Sequence, residues 1–396
     1  MESSRWVKIT LLLASSLTVM SGALIAPALP IIADHFSDVE NAEFLTRLVL
    51  TAPALAIAIF SPIAGGLIDR FGKIKLFILG MVLYAAAGGA GFIISNIYVL
   101  LASRALLGVA VGFIMTTATT LIGDYFEGEE RNSFLGTQAA FMALGGTVFV
   151  ALAGLLADIS WRYPFLLYLF SLLVIGLVLR FLKEPQPSNE DTQYSSNGVP
   201  KNYPKGPIIL AYAATFAGMA LFYVIPVQSP FLLEQIGVEK ESLLGLGLIL
   251  ATVFAALASR LHPIIKKLTS FAAIYVLTFG LMALGYGLIA LTSTLWMVLL
   301  GTVIAGFGAG LLMPNGNLWL IQVTNPAKRG KVIGGMTTAV FLGQFFSPVL
   351  LQPVISSYSI FIAHAVAAAF ALLMVGVYIV ATFRQSPAKS RQKVPS

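Results

Sequence analysis

The sequence predicts an all-α membrane protein in which twelve transmembrane helices form two pseudo-symmetric six-helix bundles. Three observations predict this fold: 58% of the 396 residues are hydrophobic and 10% are charged, twelve long apolar stretches follow one another, and the two halves of the chain share a spaced set of residues. Soluble domains are about 45–50% apolar and about 25% charged. A compact core would not cover the excess apolar surface, so lipid must be the solvent for most of it.

Each predicted span holds about 20 mostly apolar residues, the length that crosses the hydrocarbon of a bilayer. The spans do not alternate between polar and apolar residues, which predicts helices rather than the strands of a membrane barrel. The first follows Arg5 and Lys8 and is too long for the core of a cleaved signal peptide, so we interpret it as a retained span. The spans are predicted at 8–33, 44–68, 74–94, 97–122, 132–155, 163–182, 207–233, 243–260, 269–290, 295–321, 331–354 and 359–383.

Charge predicts the orientation of the spans, because lysine and arginine in short loops resist translocation. Of the 24 such residues, only Arg162 and Lys240 fall in loops on one side, Arg47 and Arg104 fall within spans, and the rest lie on the side of the termini. We therefore expect both termini to be cytoplasmic, and the plasma (inner) membrane to be the location. The net charge of +7 is scattered over these loops, which argues against a nucleic-acid partner.

A polar segment rich in proline, serine and asparagine separates the sixth and seventh spans. Its composition predicts a flexible linker. The predicted units are an N-terminal bundle at 1–182, the linker at 183–206, a C-terminal bundle at 207–384 and a cytoplasmic tail at 385–396.

The two predicted bundles share an internal repeat. A shift of 200 residues aligns Pro30 with Pro230 and Asp34 with Glu234, so spans 1 and 7 have the same proline-interrupted outer end. Repeats on either side of a linker are typical of secondary transporters, whose site lies between two bundles that rock around it. A shift of 198 residues superposes Gly108 on Gly306, Gly112 on Gly310, Arg131 on Arg329, Gly136 on Gly334 and Gly145 on Gly343.

The loop after span 2 carries, in order, Gly65, Leu67, Asp69, Arg70, Gly72 and Lys73. This set resembles the signature loop of the major facilitator superfamily, and the resemblance implies a latch that holds the two bundles together at the cytoplasmic face, against the start of span 11. Glycine allows a tight turn, and the Asp69 carboxylate is able to pair with a helix N-terminus or a cation. A merely basic loop is the alternative, but it would not explain Asp69. The counterpart in the second half, Ser259 to Pro263, lacks the acid, so we expect a one-sided latch.

Span 4 contains Arg104 in a stretch that also resembles a motif of this superfamily. Arginine inside a span is costly and almost always faces a cavity or a partner. We expect Arg104 to lie in the central cavity, where it would help proton coupling or hold an anionic group; alternatively, it snorkels to the outer membrane face. Gly108, Gly112, Thr116 and Thr120 continue at four-residue steps and predict close packing on a neighbouring helix.

Span 5 resembles in part the antiporter-associated motif of drug exporters. Gly145 and Gly154 fit this motif, whereas Phe149 and Val150 stand where it has glycine and proline.

No carboxylate lies in the middle of a predicted span, so the candidates for proton coupling besides Arg104 are Asp34 and Glu234, near span ends. Proton exchange is therefore implied mainly by the resemblance.

Polar and aromatic side chains within the spans are the candidates for the lining of a substrate cavity. Amides and aromatic rings around an apolar cavity suit an amphipathic or aromatic solute, and the two arginines leave room for one that carries a carboxylate. For each residue, packing between helices is the alternative. The candidates are Arg47, Gln138, Phe141, Tyr223, Gln228, Asn315, Asn317, Trp319, Phe341, Gln344 and Phe345.

The sequence thus predicts a secondary active transporter, most similar to the drug-exporter branch, that exports a small organic molecule by alternating access in exchange for protons. An importer or uniporter of the same fold is the alternative within transport, and a membrane receptor or integral membrane transferase is the alternative from another class. With no cysteine and three scattered histidines, we expect no metal site, no cofactor and no enzymatic activity. The expected partners are the solute, protons and lipid, and the expected state is a monomer.

Overall fold

A computed structural model describes residues 2–185, 205–325 and 328–385. Within these ranges, twelve helical segments are long and apolar enough to cross a membrane, which confirms the predicted number of spans and identifies an integral, multi-pass membrane protein. Helices satisfy their own backbone polar groups, which find no water in lipid. The predicted linker at 183–206 and tail at 385–396 lie almost entirely outside the described residues.

Each bundle has six spans, several of them made of two helices. The first bundle contains Glu2–Ala23 and Leu29–His35 in span 1, Ala42–Phe71 in span 2, Lys73–Gly89 in span 3, Ile97–Tyr125 in span 4, Gly128–Ala157 in span 5 and Phe170–Phe181 in span 6. Short 3-10 turns at Ala26–Ala28, Ala90–Phe92 and Tyr163–Leu169 complete spans 1, 3 and 6. The second bundle contains Lys205–Phe222 and Val224–Gln235 in span 7, Glu241–Leu244 and Leu246–Leu268 in span 8, Phe271–Ala290 in span 9, Leu295–Gly310 and Leu312–Val323 in span 10, Arg329–Ser357 in span 11 and Ile360–Gln385 in span 12.

Prolines account for the interruptions of spans 1, 7 and 10. A proline has no N–H to donate to the carbonyl four residues earlier, so a helix tends to end at that carbonyl. The first helices of these spans end at Ala23, Phe222 and Gly310, each four residues before Pro27, Pro226 and Pro314. Spans 1 and 7 are thus interrupted at a proline as predicted, but not at the predicted prolines: Pro30 lies at the start of the helix Leu29–His35, and Pro230 lies inside the helix Val224–Gln235.

Two segments predicted as loops are helical. The helix of span 2 continues through Phe71, and only Gly72, with a φ of +92°, separates it from the helix that starts at Lys73. The helix of span 8 continues past Pro263 to Leu268. Hydropathy marks where apolar residues stop, but a helix continues beyond that point as long as water can solvate its charged side chains.

The same pairs of helices pack together in the two bundles. Span 1 packs against span 5, span 2 against span 4, and span 3 against spans 4 and 6; span 7 packs against span 11, span 8 against span 10, and span 9 against spans 10 and 12. Between the bundles, span 2 packs against span 11, span 5 against span 8, and span 1 against span 7. This correspondence is the structural form of the repeat.

Glycines of the repeat allow two of these equivalent pairs to approach closely. A Cβ atom on Gly108 would lie 2.3 Å from the carbonyl oxygen of Pro53 in span 2, and one on Gly306 would lie 2.5 Å from the Cα of Ala251 in span 8. Real side chains do not tolerate such distances, so both positions require glycine. The predicted packing role of Gly108 is confirmed.

Candidate functional site

A cavity of about 270 Å³ lies between the two bundles. We call it the central cavity. Seven spans supply its lining, which consists of uncharged residues, many of them large and apolar. They are Thr18, Val19, Ser21, Gly22 and Ala23 of span 1, Leu50, Pro53, Ala54 and Ile57 of span 2, Met115 and Met142 of spans 4 and 5, Met219, Phe222, Tyr223 and Pro226 of span 7, Leu248 and Thr252 of span 8, and Phe341 and Gln344 of span 11.

A second cavity, of about 560 Å³, adjoins the first and shares Ile57, Met115 and Phe341 with it. We call this second cavity the mouth. Its other lining residues include Gly330 and Lys331 at the start of span 11, so it lies toward the face at which span 6 ends and span 7 begins. We call this the linker face. The central cavity is therefore reached from the linker face.

A buried arginine joins the bundles on the other side of the central cavity, toward what we call the opposite face. Arg47 of span 2 is 1% exposed, and its Nε donates to Oε1 of Gln228 in span 7 at 2.9 Å. Its Nη1 donates to Oε1 of Gln352 in span 11 at 3.3 Å, and its Nη2 pairs with Glu43 at 2.9 Å. The guanidinium also lies 4.3 Å from the ring centre of Phe231. One side chain thus connects spans 2, 7 and 11.

Spans 5 and 8 provide another contact between the bundles at the opposite face. Oδ1 of Asp158 accepts a hydrogen bond from the backbone N–H of Ser242 at 2.9 Å. Burial acts to raise the pKa of Asp158, but hydrogen bonds from Ser242 and Glu241 outweigh it and hold the pKa below its usual value. A Cβ atom on Gly154 would lie 2.9 Å from the Cα of Ser242, so backbone approaches backbone here.

Arg104 lies inside the N-terminal bundle and is completely buried. Its Nη2 donates to the carbonyls of Ala87 and Gly88 in span 3 at 2.7 and 2.8 Å, and its guanidinium lies 5.1 Å from the ring centres of Phe165 and Tyr168. It therefore joins spans 3, 4 and 6. It neither lines the central cavity nor snorkels, because these carbonyls and rings replace water around the charge.

The residues after span 2 make their described contacts within the N-terminal bundle. The Glu184 carboxylate accepts hydrogen bonds from the backbone N–H groups of Lys73 and Ile74 at 2.7 and 2.9 Å, which caps the start of span 3. Nζ of Lys73 pairs with Asp124 of span 4 at 2.8 Å. A Cβ on Gly72 would lie 3.4 Å from Oε1 of Glu184.

Comparison with known proteins identifies the family. A sequence model described as the Major Facilitator Superfamily matches residues 11–275 and 270–395. The chain belongs to the major facilitator superfamily. Members of this superfamily are transporters, so the protein is a transporter of small-molecule solutes rather than an enzyme.

Several relatives in this superfamily are drug efflux proteins. The "Multidrug transporter protein MdtP" of Bacillus subtilis is 28% identical over 166 residues, which cover 41% of this chain and only 30% of MdtP. The "Multi-drug resistance efflux pump PmrA" of Streptococcus pneumoniae is 25% identical over 374 residues, 90% of this chain and 92% of PmrA. A solved POT family transporter in complex with 5-aminolevulinic acid superposes with a TM-score of 0.76 at 14% identity, covering 95% of this chain and 96% of that chain. The last similarity concerns the fold alone.

The superfamily fold places three of the predicted lining residues, Tyr223, Phe341 and Gln344, in the central cavity. The hydroxyl of Tyr223 also donates to the carbonyl of Gly22 at 3.3 Å, across the bundle interface. Arg47 and Gln228 instead belong to the contact between spans 2, 7 and 11 described above.

The other predicted lining residues lie elsewhere. Nε2 of Gln138 donates to Ser15 of span 1 at 2.7 Å. Nδ2 of Asn315 donates to the Phe271 carbonyl at 3.0 Å, inside the C-terminal bundle. Trp319 stacks on Phe271 as well, with ring centres 5.7 Å apart. Phe141, Asn317 and Phe345 are not among the residues that line the central cavity or the mouth.

The remaining predicted site residues lie near the two faces. Asp34 and Glu234 are exposed at the opposite face, and Asp34 lines a pocket of about 480 Å³ with Glu43 and Gln352. Gly65 and Leu67 lie in the helix of span 2, and Arg70 is exposed beside the ring of Phe71. The side chain of Asp69 lies outside the described part of the structure. Thr116 and Thr120, predicted to pack between helices, line the mouth instead.

Sequence reasoning missed most of the lining. Thr18, Ser21 and Gly22 are small residues in an apolar span, and Met115, Met142 and Met219 look like ordinary lipid-facing or packing residues. Gln352 is an amide in a predicted span, as Gln344 is, and that signal would have found it.

Proposed function

We propose that this protein exports a small amphipathic or aromatic organic molecule by alternating access, in exchange for protons. The observation that carries the proposal is the central cavity, which lies between the two bundles, adjoins the mouth on one face and is covered on the other by the contacts of Arg47. The efflux activity named for PmrA and MdtP supports the outward direction.

The distribution of charge supports a cytoplasmic linker face and a plasma-membrane location. Lys73, Lys183 and Lys331 all lie at this face, and lysine and arginine favour cytoplasmic loops. In this orientation the structure is open to the cytoplasm. A solute would enter through the mouth, and the bundles would then rotate to open the opposite face.

Opening the opposite face requires spans 2 and 11 to separate. The Arg47 guanidinium would leave Gln228 and Gln352 but is able to keep Glu43, which lies one helical turn away on the same helix. At the linker face, the signature-loop residues would then meet the start of span 11 and act as the latch that the family resemblance implies.

For proton coupling we propose Asp34 and Glu234, the equivalent acids of the two bundles. Both are exposed at the opposite face, where a proton would enter. Arg104 is enclosed by spans 3, 4 and 6, which suits a positioning role better than contact with solute or protons.

Purified protein in liposomes would test the proposed function. With the linker face oriented inward, export should be driven by a pH gradient that is acidic outside, and reversing the gradient should reverse net flux. Flux that ignores the gradient would remove proton exchange and favour a uniporter. Net uptake under the outward-driving gradient would favour an importer, and no flux of any solute would remove the proposal.

A further inference from the structure

We propose that the central cavity selects solutes without net charge, and that Gln344 supplies their main polar contact. This inference rests on the proposed export of an organic molecule and narrows its substrate class. The inference depends on which polar groups around the cavity already form hydrogen bonds within the protein.

The hydroxyl groups of the lining already donate to backbone carbonyls, that of Tyr223 to Gly22 across the bundle interface and the others within their own helices. Thr18 donates to the Ser15 carbonyl at 2.7 Å, Ser21 to the Thr18 carbonyl at 2.8 Å, and Thr252 to the Leu248 carbonyl at 2.8 Å. Such hydroxyls present an acceptor but have already used their one proton. They cannot replace the hydration shell of an anion, and a few hydroxyl acceptors compensate poorly for that of a cation.

The two arginines within the predicted spans are engaged as well. Arg47 donates to Gln228, Gln352 and Glu43, away from the cavity. Arg104 donates from Nη2 to two carbonyls inside the N-terminal bundle. Neither is therefore placed to hold a carboxylate in the central cavity, as the sequence alone had allowed.

The mouth adds an electrostatic bias against cations. Among its described lining residues, Lys331, which is exposed, is charged and the others are uncharged. A cationic solute would pass this ammonium group before it reached a cavity that offers no carboxylate among its described lining residues. An uncharged solute is not repelled by Lys331 and has no ionic hydration shell for the cavity to replace.

Among the described lining residues, Gln344 alone carries an amide, which offers two N–H donors and a carbonyl acceptor. The backbone beside it packs closely on span 7, since a Cβ on its neighbour Gly343 would lie 2.4 Å from the carbonyl of Phe216. Around it, Met115, Met142 and Met219 provide flexible, polarizable surface that adapts to different apolar shapes. An amide in an adaptable apolar lining favours uncharged solutes with an aromatic or aliphatic body and one polar group.

Three dansyl amides with the same ring system test the proposal: one with a neutral hydroxyethyl tail, one with a trimethylammonium tail and one with a sulfonate tail. Binding to the purified protein would be measured by dansyl fluorescence, and transport by flux in liposomes. We expect the neutral probe to bind at least about tenfold more tightly than either charged probe, and to be the one transported. If a charged probe bound as tightly as the neutral probe and were transported as fast, the inference would be wrong, whereas the proposed export function would still stand. No flux of any probe, in a protein that still binds the neutral one, would count against the proposed function instead.

A charge placed at Gln344 gives an independent test. The Gln344→Glu variant should gain binding of the trimethylammonium probe and lose binding of the neutral one, whereas Gln344→Leu should weaken neutral binding without any gain for the cation. Gln322→Glu is the matched control, since Gln322 is an exposed glutamine near the end of span 10 that is not among the residues lining the central cavity or the mouth, and it should leave the preference among the probes unchanged. The proposal fails if Gln344→Glu and Gln344→Leu both bind the three probes as the parent protein does.

Discussion

Arg47 of span 2 and Gly245 of span 8 are equivalent residues of the internal repeat, 198 positions apart, and they close the two sides of the opposite face by different means. The same shift relates Gly154 to Gln352. At the interface of spans 5 and 8 both positions are glycine, and a Cβ on Gly245 would lie 2.8 Å from Cγ of Pro27. At the interface of spans 2 and 11 they are Arg47 and Gln352, joined by a hydrogen bond. At these equivalent positions, close packing therefore joins spans 5 and 8, whereas a side-chain hydrogen bond joins spans 2 and 11.

The Arg47→Ala variant should open the opposite face. Removing the guanidinium leaves Gln228 and Gln352 without their donor and costs the closed state about 1–3 kcal/mol. Because the chain has no cysteine, a single cysteine introduced at Ser21 can report access to the central cavity without background. We expect its labelling by a membrane-impermeant reagent from the opposite face to rise several-fold in Arg47→Ala.

Arg162→Ala is the control for this experiment. Arg162 is also near the opposite face, but Nη1 of its side chain donates to the carbonyls of Phe92 and Ile94 at 3.0 and 2.8 Å, within one bundle. Its removal should leave the labelling of Ser21→Cys unchanged. Equal labelling in both arginine variants and the parent would show that Arg47 does not hold the face closed.

The Asp158–Ser242 contact should be insensitive to pH in the physiological range. Hydrogen bonds that lower the pKa of Asp158 stabilise its charged form in the closed state, so their contribution is complete above the usual aspartate pKa of about 3.9 and is lost only as pH falls through the lowered value. In a Glu241→Gln background, where Asp158 is the member of this pair that still titrates, the same cysteine-labelling assay should therefore be flat from about pH 5 to 8 as far as this contact is concerned. Asp158→Asn should raise labelling at every pH in that range; a rise that appears only at high pH would contradict the assignment.

Replacing the closely packed glycines should destabilise the protein in a pattern set by the repeat. Gly108→Ala places a methyl group against the Pro53 carbonyl and Gly306→Ala against Ala251, so each should lose about 1–3 kcal/mol of stability. Gly136→Ala and Gly334→Ala are matched controls, since nothing lies within 4 Å of a Cβ at either position. These two should be neutral or slightly stabilising, because alanine favours helix. Thermal unfolding followed by tryptophan fluorescence would measure the stability of the four variants. Equal losses of stability in all four would show that close packing at Gly108 and Gly306 is not the cause.

Arg104→Ala should lower folding stability rather than abolish coupling. It removes a buried side chain and leaves two carbonyls of span 3 without a donor, at a cost of about 2–5 kcal/mol. The yield of folded protein should therefore fall, while the pH dependence of flux per folded molecule stays the same. A normal yield with flux that no longer responds to the pH gradient would assign Arg104 to coupling instead.

The fold was largely predictable from the sequence, and the site was not. Span number and the repeat follow from hydropathy and residue spacing. Proline chemistry predicts the interruptions of spans 1 and 7, but at Pro30 and Pro230 rather than at Pro27 and Pro226. The contacts of Arg47 and Arg104 could not be predicted in this way. Sequence indicates that a buried charge is costly, but not which carbonyl or amide groups compensate it. Cavity lining is equally non-local, since Met142 and Ser21 become lining only when the two bundles are placed side by side.

The central claim is that the cavity between the bundles opens alternately to the two faces, and joining the bundles at the closed face tests it most directly. Asp158→Cys and Ser242→Cys, introduced together, would be linked across the interface of spans 5 and 8 by a short bis-methanethiosulfonate reagent, which joins each thiol through a reducible disulfide and releases methanesulfinate. We predict that linkage stops transport, that reduction of the link restores it, and that the neutral probe still binds from the linker face. Full transport by protein shown to be completely linked would contradict alternating access.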